Sequence, residues 1–392
     1  MIELKGKENK DCKIFTNEIE EAAYKTIYRL LDSIAFKDKK IRIMPDVHEG
    51  KDIVIGFTSE LGNCVNPNHV GVDIGCGVST VKLESLNNLS LGEINNKILD
   101  TIPMGFNYNI NPLYKELNYF EIQREISYFI CNWNKRFNDN KKSIFINEIY
   151  ISNLIKKVNI SPNTFYNSIG TLGGGNHFIE LGIDEEDNNW LTVHTGSRNF
   201  GLKICEYHVN QAKLQKEISS EYLYGDKMFD YCIDMIIAQY YAKLNRDSIL
   251  SKIMFDLKFT PIQQITSIHN YIDFEHFYIR KGAISALEGQ LCVIPFNMRD
   301  GLLICEGKGN EDWNYSAPHG AGRILSRSQA KKNINMDDYT ESMKDIFSTC
   351  VCKETLDESP MAYKDCNLIE TLIEPTVEII HKVKPILNIK AK

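Results

Sequence analysis

Five short stretches, most of them glycine-rich and all far apart in the chain, carry residues that bind metals or attack phosphorus. They are GVDIGCGV (71–78), GGGNHFIEL (173–181), VHTGSRNFG (193–201), IHNYIDFEH (268–276) and SAPHGAGR (316–323). Together they supply Asp73, Cys76, His177, His194, His269 and His319. Donors this scattered meet only where a large fold gathers them. That points to a built metal site with a separate reactive histidine, not to a local zinc finger.

The chemistry follows from the residue types. In GVDIGCGV a carboxylate and a thiol stand three residues apart, and the flanking glycines let the backbone bend and approach a ligand closely. A thiolate can bridge two cations, and mixed N/O/S ligation suits Mn, Fe, Co or Zn without choosing among them. Alone, this motif also fits a glycine-rich turn with a buried cysteine. In GGGNHFIEL an extended chain puts His177, Ile179 and Leu181 on one face and Asn176, Phe178 and Glu180 on the other. One face can therefore meet a metal while the other meets a ligand, and the three glycines suit a phosphate approached by backbone N–H groups. VHTGSRNFG offers His194 as a ligand and Arg198 as a planar fork for phosphate. In IHNYIDFEH, His269 is the better ligand, and His276 reads as structural. His208 and His381 read as bland, and Asp46 and His48 in PDVHEG (45–50) as intermediate. SAPHGAGR exposes His319 between a proline and a Gly-Ala-Gly turn, with Arg323 close by. A histidine can form a covalent intermediate with a phosphoryl centre, and neighbouring cations neutralise the charge that develops. A capping turn before a helix is the rival reading of that loop.

The elements that must position these residues are a mixed set. Apolar residues at helical spacing predict helices over 17–36, 119–137 and 227–246, with later helices over 331–346 and 370–383. Strands are expected for IRIM (41–44), VSTVKL (78–83), HFIEL (177–181), WLTVHT (190–195) and CVIPF (292–296), and DEEDNN (184–189) reads as a hairpin turn. No Pro-, Gly- or Ser-rich linker interrupts the chain. The candidate donors span 73 to 319, so any cut there would divide the site. One α+β domain over 1–392 is the most economical architecture.

Composition narrows the function classes. With 392 residues and 43% hydrophobic content the chain can bury a large core. No stretch has the roughly 18 or more apolar residues of a membrane span, and the first residues lack the order of a secretory signal. A cytoplasmic protein with reduced thiols is expected from the eleven cysteines. Of these, Cys131, Cys205, Cys232, Cys292 and Cys305 read as small core residues. A net charge of −7 argues against coating nucleic acid non-specifically, though not against local basic channels. There is no Walker GxxxxGK[ST], HExxH or nucleophile elbow, which leaves metal-dependent phosphoryl or nucleotidyl chemistry outside the common motif sets.

From MPDVHEG (44–50) to VKPILNIK (383–390) the chain resembles the RtcB-type RNA ligases, the 3′-phosphate RNA-splicing ligase family. The resemblance implies one large α+β catalytic domain with a central two-metal cleft, two Mn(II) ions and GTP as the guanylate source. By motif, Cys76 would bridge the ions, Asp73 and His177 would complete one site, and His194 and His269 the other. His319 would attack the GTP α-phosphate. Asn176, Phe178, Glu180, Gly320, Gly322 and Lys390 would form the guanylate pocket with His319, and Arg198 and Arg323 match arginines needed for activity. The implied substrates are RNA ends bearing a 3′-phosphate or 2′,3′-cyclic phosphate and RNA ends bearing a 5′-hydroxyl, in tRNA splicing or RNA repair. An archease-like activating protein is a candidate partner, and no membrane is involved. The chain departs from the family pattern at IPFNMRDG (294–301), at Ala317–Pro318 and at NFG (199–201), none of which removes a donor or the nucleophile. The rival reading is a metal-dependent phosphodiesterase or phosphatase that uses the same scaffold without guanylylation.

Overall fold

Residues 78–83 and 190–195 are rich in β-branched side chains, and both lie in a seven-stranded antiparallel sheet. The computed structural model, which describes residues 1–215 and 221–392, orders its strands Pro261–Ile268, Gly77–Leu83, Asn189–Thr195, Phe178–Ile183, Val377–Ile389, Leu302–Gly307 and Leu291–Pro295. The two-residue period separates the sheet's faces. Val81, Leu83, Ile179, Leu181, Leu191 and Val193 pack with Ile249, Leu250 and Ile253 of the helix Gly225–Leu257. Val78 and Trp190 join a second cluster with Ile265, Val293 and Val383.

A second sheet of six strands runs Ile2–Leu4, Cys12–Ile14, Ile41–His48, Ile55–Glu60, Tyr278–Lys281 and Asn270–Asp273. Only Cys12–Ile14 and Ile41–His48 pair in parallel in it. The helix Glu21–Leu31 covers this sheet with Ala23, Ile27, Leu30 and Leu31.

The α+β expectation holds, with differences in the elements. The helix expected over 17–36 is shorter, Glu21–Leu31, followed by a 3-10 turn at Ile34–Phe36. The helix expected over 227–246 runs on to Leu257, because Ile249, Leu250, Ile253 and Leu257 continue its buried stripe. It stops at Lys258, which takes a left-handed φ of 56°. The helix expected over 331–346 is two short ones, Arg327–Asn333 and Met336–Ser342, because Asn335 caps the second by accepting from Asp337 N. The helix expected over 370–383 is a helix Cys366–Ile373 followed by the long strand Val377–Ile389. There Val377, Ile379, Val383, Leu387 and Ile389 recur at a period of two, and that period wins. Cys131 is exposed on its helix, whereas Cys205, Cys232, Cys292 and Cys305 are buried as expected.

Candidate functional site

Strand pairing brings the scattered donors to one place. Asp73 and Cys76 sit just before Gly77–Leu83, His177 just before Phe178–Ile183, His194 near the end of Asn189–Thr195, and His269 just after Pro261–Ile268. These four strands are neighbours in the sheet. Gly77 stands opposite both Ile268 and Thr195, and His194 stands between Val78 and Phe178. The loops bind one another directly: His269 N donates to Cys76 O at 2.9 Å, and Gly75 N donates to Asn270 O at 2.7 Å. Gly77 is required by that closeness, because a Cβ there would lie 2.4 Å from Ser267 O.

Two groups of donor atoms result, each within 4.8 Å: Asp73, Cys76 and His177, and Cys76, His194 and His269. Cys76 belongs to both. Its Sγ lies 3.3 Å from His194 Nε2 and 3.6 Å from His177 Nε2. His194 Nε2 is 3.4 Å from His269 Nε2, and His177 Nε2 is 3.0 Å from Asp73 Oδ2. The rings are aimed by backbone carbonyls: His177 Nδ1–H donates to Leu172 O at 2.9 Å, and His194 Nδ1–H donates to Asn176 O at 3.1 Å. That aims both Nε2 atoms into the donor cluster, His194 Nε2 toward the thiol and His177 Nε2 toward the thiol and Asp73, as second-shell bonding does for metal-ligating histidines. Burial and neighbouring cations hold His194 and His269 well below the usual imidazole range, so both are neutral. Burial and Asp73 push the Cys76 thiol well up. Burial opposes ionisation of Asp73, but its bond to His177 wins and holds the carboxyl low. Imidazole nitrogens and a shared thiol, with a carboxylate in the first group, suit a divalent transition cation in each group.

His319 lies beside this cluster, its ring 4.8 Å from that of His269. Its Nδ1 donates to Asp46 Oδ2 at 2.6 Å, which leaves Nε2 as the free lone pair. Asp46 is fully buried, and Lys364 fixes the chain on both sides of it by donating to Pro45 O and Val47 O. The Gly-Ala-Gly turn after His319 is a packing need: Gly322 has φ +75°, and a Cβ there would lie 2.1 Å from Asp46 O.

A cavity of about 320 Å³ opens on His319, and on Asp73, Cys76, His194 and His269. Asn176, Phe178, Glu180, Gly320, Gly322, Arg323 and Lys390 line it too. Lys390 Nζ lies over the Phe178 ring at 5.4 Å and donates to Asn176 O. Glu180 Oε2 accepts from Asn388 Nδ2 at 2.7 Å, and burial pushes its carboxyl up to about 8 against the pull of Asn388 and Lys390. His177 and Arg198 lie behind the walls. Arg198 gives Nε to Thr171 Oγ1 and Nη2 to Gly105 O, and so ties the GGG loop to residue 105. His276 pairs with Asp273, His208 with Asp234, and His381 lies in a strand beside Glu185.

Sequence reasoning missed a carboxylate at the centre of the cavity's cationic wall. Glu358 is 3% exposed and accepts from Lys390 Nζ at 2.9 Å, Tyr363 OH at 2.9 Å, Arg327 Nη1 at 2.6 Å and Arg323 Nη1 at 3.3 Å. Burial alone would raise its pKa, but the cations around it hold it ionised. A lone glutamate in KETLDE carries no sequence signal for this. Asp46 was visible only as a neighbour of His48, and its pairing with His319 spans 273 positions.

One family model and three relatives bear on the site. A family model described as "tRNA-splicing ligase RtcB" matches residues 30–391. The RNA-splicing ligase RtcB of Escherichia coli (strain K12) is 29% identical, with 99% of each chain covered. The tRNA-splicing ligase RtcB of Nanoarchaeum equitans is 27% identical over 90% of this chain and 88% of its own length. The RNA-splicing ligase RtcB homolog 1 of Entamoeba histolytica is 24% identical over 95% of this chain and 85% of its own length.

Proposed function

Because the chain belongs to the RtcB family, whose model spans residues 30–391, we propose that it is a GTP-dependent RNA-splicing ligase. In this reading it joins RNA 3′-phosphate or 2′,3′-cyclic phosphate ends to 5′-hydroxyl ends, with residues 1–392 acting as one catalytic domain in the cytoplasm. Among the described residues no helix is long and apolar enough to cross a membrane. The observation that carries the reading is a histidine with one nitrogen fixed by a buried carboxylate and the other left free beside two metal-fitting donor groups.

Asp73, Cys76 and His177 would hold one Mn(II) and Cys76, His194 and His269 a second. Bound there, the ions supply charge stabilisation and alignment to phosphoryl oxygens. The protein's own groups do the rest. Asp46 keeps the His319 Nδ1 proton in place, so Nε2 is the nucleophile at the α-phosphorus of GTP. The Nε2–P bond forms as the α–β P–O bond breaks, and pyrophosphate leaves. The guanylate then passes to the RNA 3′-phosphate, the 5′-hydroxyl attacks that phosphorus, and GMP departs. A 2′,3′-cyclic phosphate is first opened by water. Asn176, Phe178, Glu180 and Lys390 would hold the guanylate, with Gly320 and Gly322 leaving room for it. Arg323 faces the cavity for phosphate charge, and Arg198 acts through the loop that it braces. An archease-like activator stays within this reading as a partner for turnover.

Incubating an RNA 3′-phosphate fragment and a 5′-hydroxyl fragment with protein, Mn(II) and GTP tests the reading. The expected product is one strand with a 3′,5′-phosphodiester, dependent on GTP. Metal-dependent hydrolysis without joining would transfer the site to the hydrolase reading.

Glu180 makes a separate pH prediction. With its carboxyl at about 8, the free site is mostly protonated at pH 7. Guanine offers two N–H donors on its Watson–Crick edge, which need the carboxylate. Nucleotide binding at pH 7 should therefore release close to one proton, and affinity should rise roughly tenfold per pH unit below 8 before levelling off. Calorimetry of GTP binding in buffers of different ionisation enthalpy reads the proton directly. A binding heat independent of buffer at pH 7 would remove Glu180 from guanine recognition.

A further inference from the structure

We propose that residues 105–114 form a base-stacking platform for the single-stranded RNA entering the cleft; this rests on the RNA-joining reading above. The segment reads GFNYNINPLY, with rings and amides alternating. Phe106 is 96% exposed and Ile110 94%, and Tyr108 is also exposed. An apolar ring held in water gains nothing for folding, so its value lies in what it meets.

The platform adjoins the site. Gly105 N donates to Gly173 O at 2.8 Å, and Gly105 O accepts from Arg198 Nη2 at 3.0 Å. Phe106 thus emerges beside the separate 173–175 loop, which continues into Asn176 and Phe178 of the cavity wall. Gly174 faces bare backbone there: a methyl on it would lie 3.8 Å from Gly105 Cα and 3.9 Å from Ala391 Cβ. One residue on, a methyl on Gly175 would lie 3.6 Å from the Arg327 guanidinium, a half-exposed cation at the same rim.

The backbone is fixed before any ligand arrives. Asn109 N donates to Asn167 O at 3.0 Å, and Asn109 Nδ2 donates to Ile169 O at 2.8 Å. Asn167 Nδ2 returns a bond to Ile110 O at 3.2 Å. Rings set on a rigid, polar-pinned loop offer stacking surface at little ordering cost.

Charge selects the occupant. In a chain with net charge −7, residues 101–115 contain no acidic side chain. Asn107 and Asn111 are exposed between the apolar side chains, amides suited to base edges. Rings and free amides on a segment without acids fit a single-stranded polyanion with π-faces, and Arg327 at the rim is already paired with Asp357 and Glu358, so stacking carries the contact.

The test uses the whole protein and a fluorescent oligouridylate with a 3′-phosphate. Phe106→Ala with Ile110→Ala should weaken binding about 5- to 50-fold. Phe106→Trp should bind at least as tightly as the natural chain. The salt slope should stay constant, because no cation is lost. Covalent labelling by GTP without RNA should be unchanged. Unaltered RNA affinity in the double variant would overturn the platform, as would loss of self-association in its place. Failure of labelling in the natural chain, with RNA binding intact and sensitive to Phe106, would sink the ligase chemistry and leave the platform standing.

Discussion

His319→Ala incubated with Mn(II) and α-labelled GTP is expected to carry no covalent label on a denaturing gel, while the natural chain is labelled. Strand joining should fall at least about 10³-fold, the scale seen when a covalent nucleophile is removed and only binding and charge stabilisation remain. The reason is geometric. His319 is the one histidine of the cavity whose Nδ1 is held by a buried carboxylate, with Nε2 beside the donor cluster. Truncation leaves Asp46 Oδ2 only the longer bond from His319 N at 3.3 Å, and Asp46 Oδ1 already has no partner, so a stability loss of about 1–3 kcal/mol is expected. His319→Asn is the control, because its amide can still donate to Asp46. It should melt closer to the natural chain and be equally unlabelled. A label that survives in either variant would place the nucleophile elsewhere.

Cys76→Ala carries the other large effect. Its sulfur is the atom common to both donor groups, so its loss should empty or weaken both ions, whereas His177→Ala should cost chiefly one. Metal content after Mn(II) loading should fall from about two per chain toward zero, and labelling should drop by about 10² or more. Burial keeps the thiol protonated without a cation, so loading displaces a proton and tightens as pH rises. Mass spectrometry of bound metal reads the first effect and a gel the second. Full metal content with full labelling in Cys76→Ala would end the shared-thiol assignment.

How much of this was legible follows from the kind of signal each residue gives. Cys76, His177, His194 and His269 stand out because several separate loops each present an isolated donor, a coincidence that core packing explains poorly even though each loop alone fits it. Their convergence was not legible, since it depends on four strands pairing side by side over positions 77 to 268. The C-terminal strand was misread because ETLIEPTVEIIHKV mixes a helical start with a period of two, and only pairing with Phe178–Ile183 and Leu302–Gly307 decides the matter. Asp46 and Glu358 were illegible as partners, since a lone carboxylate in sequence looks like surface. Arg198 was read by its charge as a phosphate fork, yet two of its guanidinium nitrogens bind Thr171 and Gly105. Phe106 and Ile110 sit in a run with no helical or strand period, and only their exposure marks them.

The donors' position at the ends of four adjoining strands would make any cations bound there proofreaders of sheet alignment. His194 keeps its side only while Val78 and Phe178 stand opposite it. A slip of one residue turns every side chain of Asn189–Thr195 to the other face and carries the imidazole away from the thiol. Cations that bind only the correct alignment lower its free energy by mass action and leave misaligned chains unrewarded. Metal supply during synthesis would then select among conformers: chains matured without it should yield a larger misaligned fraction, slow to exchange because Asn189–Thr195 must part from both its neighbours before it can shift.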